Sequence, residues 1–393
     1  MRINRTLAEM IRMERFSEIH DKVALERLSC GEAAAMLGCS ERHFLRLRDR
    51  YSEEGLAGLK DRRLGRVSPR RAADSEVEEV TRLYRERYRG FSVRHFYEFA
   101  GRVHGMQWSY SWVRKTLYEA GLLTPSKRGG PHRLRRPRRP MRGMMIHQDA
   151  SKHRWFGEEY SDLVVTMDDA TSEITSAFFC AEEGTISSFR GIHETIARHG
   201  LFCSFYTDRG GHYFYTPEAG GKVDKSRPTE VGRALKQLGI VHIAAYSPEA
   251  RGRSERMFGT LQGRLVNELK LEAICDITSA NRYLQDVYLE RHNAQFTVKP
   301  ESESSAFTPI VGFDIANILC IQEERIVAAD NTVRYQGMKL QIPPSVLRHH
   351  YVKTQVRVHQ YPDETLALFH GPREIGRYHA DGSLQQKEEK HAA

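Results

Sequence analysis

The chain has 393 residues, 60 Lys and Arg against 51 Asp and Glu, a formal net charge of +9 and 40% hydrophobic residues. This length allows two or three domains and this composition supports buried cores, so a single small module and a largely disordered chain are both excluded. No apolar run reaches the roughly 20 residues of a membrane-spanning helix, and the six cysteines form no CxxC pair, which argues against a disulfide framework and a zinc finger.

The positive charge is concentrated at the start of the chain. Residues 1–148 contain 32 Lys and Arg and 18 Asp and Glu, a net charge of +14, whereas the remainder has a net charge of −5. Because such cations release counterions from phosphates, this asymmetry favours a nucleic-acid partner. The chain start has no apolar signal core, so we expect a cytoplasmic protein without a membrane partner.

The first predicted domain, residues 1–70, contains a helix-turn-helix pattern. A helix that starts at Glu32 meets Gly38, a natural helix stop, and Ser40 can cap the helix that follows. Arg42 and Arg46 fall outside the apolar face of that second helix, so they are candidate DNA contacts. An ordinary helical hairpin is the alternative interpretation of this pattern.

A second pattern of the same kind occupies residues 71–125. It turns at Gly105, and Ser109 can cap the helix that follows. Arg114 and Lys115 project outward from this helix and are further candidate DNA contacts. Two such units in one basic region favour DNA binding over two ordinary helical hairpins.

Residues 126–143 are predicted to be a basic linker. They include eight Lys or Arg, no acidic residue, three Pro and three Gly. Proline and glycine disfavour a regular element, and the like charges extend the segment. It is either a solvated spacer or an arm that lies along DNA phosphates, and we favour the arm because a spacer does not require eight cations. Its candidate DNA contacts are Arg133, Arg135, Arg136, Arg138 and Arg139.

Strand and helix signals then alternate through residues 144–310. Three strands, a helix, a strand, a helix, a strand and a long helix predict a mixed α/β layer architecture. Asp168 and Asp169 lie where the first hairpin turns, and we interpret them as turn residues rather than metal ligands. The Gly-rich residues 209–228 are interpreted as a surface hairpin insertion. Alternating segments within residues 320–380 predict a small C-terminal β-barrel.

Three carboxylates lie where a metal site can be built. Asp149 and Asp208 are placed at the ends of two predicted strands, and Glu255 lies in the first turn of the long helix. Hard oxygen ligands of this type suit Mg²⁺ or Mn²⁺ rather than Zn²⁺, and two such ions can activate a hydroxyl and stabilise the oxygen that leaves phosphorus. Taken singly, a strand-end Asp is more often a turn or cap residue, and Glu255 could simply complement a helix dipole.

The segments around these carboxylates are HQDAS at Asp149, YTDRGGHYF at Asp208 and AYSPEARGRSERMFGTLQGRL at Glu255. They resemble the motifs of DDE transposases and retroviral-type integrases, and the third segment is the most specific. With the flanking domains, the chain is similar to bacterial insertion-sequence transposases related to the IS481 and ISNCY families. The resemblance implies a ribonuclease H-like core in which the three carboxylates are the catalytic residues and hold two Mg²⁺ or Mn²⁺ ions.

The same resemblance implies that the protein cleaves DNA at the ends of a mobile element and transfers the freed strands into target DNA, with no covalent enzyme intermediate. The implied partners are double-stranded DNA, at the element ends and at the target, and further copies of the chain, at least a dimer on DNA. No GxxxxGK[ST] phosphate loop is present, so no nucleotide cofactor is expected.

The chain departs from the family pattern after the glutamate. Gln262 stands where relatives often have a Lys or Arg that holds DNA, and Arg253, Arg256 and Arg264 are possible substitutes. Two alternative functions remain open at this stage. One is a catalytically silent DNA-binding regulator or domesticated integrase-like protein, which would be expected to have lost at least one carboxylate. The other is a nuclease that cleaves without joining.

Overall fold

The computed structural model describes residues 5–60, 72–124, 136–218, 221–224, 226–246, 252–345 and 348–385. The chain divides into two compact units, Met1–Glu78 and Glu79–Ala393. This division is coarser than the five domain ranges expected from the sequence, which remain predictions. Two of the expected DNA contacts, Arg133 and Arg135, lie outside the described residues together with the first part of the basic linker.

The first unit is helical. Its helices are α1 (Arg5–Ala24), α2 (Cys30–Met36) and α3 (Glu41–Glu54), followed by a 3-10 turn at Gly55–Leu59. Gly38 has φ +66° between α2 and α3, and the Ser40 side chain accepts the His43 N–H as the N-cap of α3. Phe16, Phe44 and their neighbours form a small buried core. The predicted helix pair with its glycine turn is confirmed.

A second helical group begins with α4 (Asp74–Glu86), which starts in the first unit and continues into the second, and includes α5 (Val93–His104) and α6 (Tyr110–Glu119). Gly105 adopts the left-handed conformation at the end of α5, and the Ser109 side chain accepts the Trp112 N–H at the start of α6. The glycine turn and the serine cap are therefore those expected from the sequence.

A five-stranded mixed sheet follows, with strands β1 (Ile146–His153), β2 (Ser161–Asp168), β3 (Ile174–Cys180), β4 (Ser204–Thr207) and β5 (Val241–Ala244). The strand order is β3-β2-β1-β4-β5. The first three strands are antiparallel neighbours, and β1, β4 and β5 run parallel. The expected mixed α/β layer architecture is confirmed.

Helices cover this sheet. They are α7 (Thr185–His199), α8 (Glu230–Gln237), α9 (Gly252–Leu271), α10 (Ile277–Tyr283) and α11 (Leu289–Phe296), with a π-helical turn at Leu284–Tyr288. The α9 residues Phe258, Leu261, Leu265 and Leu269 recur at helical spacing and are all buried in one core with side chains of β2 and β3. A separate core includes Ile146, Phe205 and apolar residues of α7 and α8.

The Gly-rich residues 209–228 do not form the predicted surface hairpin in their described part. Residues 209–218, 221–224 and 226–228 contain no strand, and Tyr213 and Phe214 are buried in the core beside α7 and α8. Burial of two aromatic side chains explains the difference, because it holds the segment against the core. The YFY run at 213–215 is the sequence signal that opposes a surface hairpin.

The C-terminal region contains β6 (Ile321–Ile326), β7 (Thr332–Tyr335), β8 (Met338–Gln341), β9 (Gln355–Gln360), β10 (Leu366–His370) and β11 (Arg373–Tyr378). One sheet has the order β11-β10-β9-β6, and β7 pairs with β8 alone among the described strands. The predicted barrel is not confirmed, because these two sheets share one apolar core without closing on each other. None of the described helices is long and apolar enough to cross a membrane.

Candidate active site

Asp149 and Asp208 each lie two residues beyond the last pair that joins the parallel strands β1 and β4. The register pairs Ile146 with Phe205 and His147 with Tyr206. Continued by two residues, the same register sets Asp149 opposite Asp208, the first residue after β4. The expectation that the first strand ends at Asp149 is wrong, because pairing with β2 extends β1 to His153. Asp149 instead lies two residues after the last β1–β4 pair, in the part of β1 that still pairs with β2.

Backbone N–H groups hold both carboxylates. Asp149 Oδ1 accepts the Ala150 N–H at 3.0 Å, and Asp208 Oδ1 accepts the Gly210 N–H at 2.8 Å. A Cβ on Gly210 would lie 3.1 Å from Asp208 Oδ1, so this position favours glycine. Asp149 is 9% exposed. Each carboxylate is thus oriented by the chain that follows it.

Tyr213 is a buried neighbour of both aspartates. Its hydroxyl donates to Gln148 Oε1 at 2.9 Å. Burial raises the pKa of Tyr213 well above its usual value, and the nearby carboxylates of Glu183, Asp208 and Asp149 raise it further. The Tyr213 hydroxyl therefore stays protonated and supports the residue that precedes Asp149.

Glu255 lies in the first turn of α9 and is exposed. The helix is joined to β1 by a hydrogen bond of 3.0 Å from Gln262 Nε2 to Ser151 Oγ. Glu255 and Gln262 are seven residues apart, so they lie on the same face of α9, two turns from each other. Gln262, where the resemblance led us to expect a cation for DNA, is instead bound to the strand that carries Asp149.

The three carboxylates supply hard oxygen donors of the kind that Mg²⁺ and Mn²⁺ take. In the part of the chain that the structure describes, no three His, Cys, Asp or Glu side chains are grouped closely enough to hold a metal ion. The β1–β4 pairing ends two residues before each aspartate, and Glu255 is an exposed residue in the first turn of α9. The role of all three as metal ligands remains a prediction.

Asp169 forms the centre of an ion cluster that the sequence analysis missed. It is fully buried. Its Oδ1 accepts from His147 Nε2 at 2.7 Å, from Arg136 Nη2 at 2.5 Å and from Arg253 Nη1, while Oδ2 accepts the Arg139 N–H at 2.8 Å. Asp169 lies in the turn after β2, as expected, but its side chain also binds partners outside that turn. Asp168 ends β2, and its Oδ1 accepts the Thr171 N–H within the turn.

The charge states within this cluster follow from its contacts. Burial by itself would raise the pKa of Asp169, but the His147 hydrogen bond, the Arg139 N–H and the Arg253 charge outweigh it, so the pKa lies well below its usual range. Burial lowers the pKa of His147, and the charges of Arg136 and Arg253 act in the same direction. Asp169 is therefore an anion that two arginines neutralise.

The same cluster fixes the end of the basic linker. Arg253 Nη2 donates to the carbonyl of Arg136 at 2.6 Å, and Arg138 Nη1 donates to the carbonyl of Asp169 at 2.9 Å. Arg136 and Arg253, both expected to contact DNA, thus have protein partners. No local pattern could have revealed this, because Arg136 and Arg253 lie 33 and 84 residues from Asp169 along the chain.

The other predicted DNA contacts that the structure describes are solvent-exposed. They are Arg42 and Arg46 on α3, Arg114 and Lys115 on α6, Arg138 and Arg139 in the linker, and Arg256 on α9. Lys115 also pairs with Glu119 one turn later, at 3.6 Å. Exposed pairs of this kind are weak, so they leave a cation available to phosphate. DNA contact by these residues remains a prediction.

The second helical pair is joined to α9 by a buried polar network. His95 Nε2 on α5 contacts Glu268 Oε1 at 3.0 Å, and both side chains are almost completely buried. Arg264 Nη1 donates to Glu98 Oε2 at 2.6 Å. Within the second unit, the helix that carries Glu255 is therefore also the helix on which α5 packs.

Known proteins similar to this chain include two transposases. A putative transposase of Sinorhizobium fredii, y4bF, is 31% identical over 354 residues, which cover 89% of this chain and 77% of that protein. The transposase for insertion sequence IS1202 of Streptococcus pneumoniae is 29% identical over 342 residues, which cover 78% of this chain and 72% of that protein. Residues 22–79 match the family model described as winged helix-turn helix, which confirms the predicted motif.

Solved structures with some likeness are viral integrases. A chain of the simian T-cell lymphotropic virus intasome in complex with PP2A regulatory subunit B56 gamma is 15% identical and has a TM-score of 0.35. That match covers 76% of this chain and 90% of that one. The catalytic core domain of HTLV-2 integrase in complex with magnesium is 16% identical, with a TM-score of 0.27 over 37% of this chain and 89% of that one. Both likenesses are distant.

Proposed function

The chain belongs to the insertion-sequence transposases, and we propose that it cleaves the DNA ends of its element and joins them to target DNA through Asp149, Asp208 and Glu255. The observation that supports this proposal is the parallel β1–β4 register, whose last pair, His147 with Tyr206, lies two residues before both Asp149 and Asp208. On this proposal the mixed sheet is a ribonuclease H-like core, with the strand order β3-β2-β1-β4-β5.

The proposed role of the three carboxylates is to hold divalent metal ions. Mg²⁺ or Mn²⁺ bound there would supply Lewis acidity and a nucleophilic oxygen at neutral pH. The chain contributes orientation, because the Ala150 and Gly210 N–H groups each hold one carboxylate oxygen, of Asp149 and of Asp208 respectively. Glu255 would complete the set when the end of the element is bound, because α9 presents it on an exposed face.

DNA recognition is assigned to the helical regions. The exposed cations of α3 and α6 would contact the element ends, since a recognition helix reads the major groove with side chains of this type. Arg138, Arg139 and Arg256 would contact phosphates near the proposed active site. Two ends must be processed together, so we propose at least a dimer on DNA.

The test is end cleavage by Glu255→Gln, with Glu272→Gln as the matched control. Glu272 is an exposed residue just beyond the end of α9. We expect Glu255→Gln to lose metal-dependent cleavage while it binds the element ends as wild type does, and Glu272→Gln to cleave normally. Full cleavage by Glu255→Gln would contradict the assignment. Wild-type binding without cleavage in either metal would support the silent DNA-binding regulator instead.

A further inference from the structure

Three chain segments that are far apart in sequence meet at one buried carboxylate. Asp169 follows β2, His147 lies on β1 two residues before Asp149, Arg253 lies on α9 two residues before Glu255, and Arg136 belongs to the basic linker. The carboxylate is 0% exposed, and the Arg253 side chain is 16% exposed. A buried ion cluster of this kind is costly unless its geometry is well satisfied, so it is a weak argument for stability alone.

We propose that Asp169 is a positioning residue for the strand-transfer site: it holds the first turn of α9, and with it Glu255, in a fixed relation to β1 and to the basic linker. Each contact fixes one element. His147 anchors Asp169 to β1, Arg253 anchors it to α9, and Arg136 with the Arg139 N–H anchors it to the linker.

The position of Arg253 explains why α9 needs this anchor. Arg253 is the second residue of α9, and the first side chain of this helix in the apolar core is Met257. Before Met257, the Arg253 side chain holds the first turn of α9 to Asp169, in the turn after β2, and to the carbonyl of Arg136 in the linker. Glu255 lies two residues after Arg253, so a displacement of Arg253 would also displace the Glu255 carboxylate.

Asp169 also holds the basic linker. Arg138 Nη1 donates to the carbonyl of Asp169 at 2.9 Å and to Ser172 Oγ at 2.8 Å. Residues 136–139 therefore follow the turn after β2 rather than extending freely. The exposed guanidinium of Arg139 would then approach DNA from a position that the core determines, next to the proposed metal ligands.

The experiment compares Asp169→Asn with Asp162→Asn. Asp162 is a buried carboxylate on β2, the strand that Asp169 follows; it accepts the Glu183 N–H at 2.7 Å and forms no ion pair in the described structure. We would measure amide hydrogen exchange of residues 252–260, Mn²⁺ affinity by electron paramagnetic resonance, end binding and strand transfer. Asp169→Asn should speed exchange in the first turn of α9 and weaken Mn²⁺ binding by about 10-fold to 100-fold, as is common for residues that orient metal ligands.

Asp162→Asn should leave exchange in α9 and Mn²⁺ affinity at wild-type levels, and both variants should bind element ends. If Asp169→Asn does not fold, Arg253→Gln replaces it, and Arg253→Lys should restore exchange and Mn²⁺ binding at least partly because it keeps the charge. Wild-type exchange and Mn²⁺ affinity in Asp169→Asn would overturn the proposal, and so would equal effects of the two asparagine variants.

The metal part of this inference rests on the proposed function, but the exchange measurement does not. If wild-type protein fails to bind Mn²⁺ or to join strands, the proposed function fails. In that case, faster amide hydrogen exchange in α9 of Asp169→Asn would still show that the ion cluster positions this helix. Unchanged exchange would still refute that positioning role.

Discussion

Gln262 on α9 donates a hydrogen bond of 3.0 Å to Ser151 on β1. Ser151 lies two residues after Asp149, and Gln262 lies two helical turns after Glu255 on the same face. This bond therefore connects the elements that carry two of the three proposed metal ligands. It also gives a role inside the protein to a position where the resemblance implied a DNA contact.

A double-mutant cycle tests this connection. Gln262→Ala and Ser151→Ala should each destabilise the protein and slow strand transfer, and the double variant should add little to either single change because the two residues share one bond. A coupling of about 0.5–1.5 kcal/mol in the free energy of unfolding is expected for a hydrogen bond of this type. Strictly additive effects would show that Gln262 and Ser151 act independently.

Removal of charge from α6 should weaken DNA binding. We expect the double variant Arg114→Ala, Lys115→Ala to bind element ends less tightly and to show a shallower dependence of affinity on salt, by up to about 0.9 in log–log slope for each lost phosphate contact. The control is Lys299→Ala, at an exposed lysine paired with Glu303. Fluorescence anisotropy measures the affinity. If its dependence on salt is unchanged in the double variant, Arg114 and Lys115 do not contact DNA phosphates.

The contact between α5 and α9 depends on a buried charge. Glu268 is 6% exposed as a side chain and accepts from His95, Tyr283 and Arg291. Glu268→Ala would leave those partners unpaired, so the free energy of unfolding should fall by about 3–5 kcal/mol. Glu272→Ala, at an exposed position beyond the helix end, should change it little. Denaturant unfolding followed by circular dichroism measures both, and a small effect of Glu268→Ala would show that the network contributes little.

Buried histidines predict a loss of stability in mild acid. Burial lowers the pKa of His292 and of His359 to about 4, with nearby arginine charges acting in the same direction. The unfolded chain binds these protons near pH 6.5, so the stability that each neutral histidine contributes is present above pH 6.5 and is lost as pH falls toward 4. The loss is roughly 3 kcal/mol for each histidine.

His359→Phe isolates one of these contributions. His359 stacks on Phe369 at 4.2 Å between ring centroids, and neither of its ring nitrogens has a hydrogen-bond partner within the described structure. A phenylalanine keeps the stacking and cannot take up a proton. The variant should therefore lose less stability than wild type between pH 7 and pH 5. The control, His349→Gln at an exposed position, should lose as much stability as wild type over the same range. Parallel losses in wild type and His359→Phe would contradict the assignment.

Local signals in the sequence predicted the helix-turn-helix elements well. Ser40, Ser109, Gly38 and Gly105 have caps and turns that depend only on neighbouring residues, so the helices begin and end close to the expected positions. The apolar spacing of α9 likewise identified its buried face. Membership of the transposase family was predicted from motifs around the three carboxylates and is confirmed by the relatives.

Long-range pairings could not be predicted in the same way. Asp169 has its partners 22, 33 and 84 residues away, and His95 meets Glu268 across 173 residues. No periodicity or spacing reports such contacts, because they depend on how the elements pack. Whether the C-terminal strands close into a barrel could not be predicted from the sequence either. Alternation of apolar and polar residues predicts strands, but it does not predict which strands become neighbours.

The central claim is that Asp149, Asp208 and Glu255 act together as the metal-dependent centre of strand transfer. The most direct test is joining of a labelled duplex with the element's terminal repeat to a plasmid target, in Mg²⁺ or Mn²⁺ and in EDTA, by wild type and by Asp208→Asn. The account predicts joining by wild type that requires the metal and is absent in Asp208→Asn, with end binding retained. Joining by Asp208→Asn at the wild-type rate, or joining in EDTA, would contradict it.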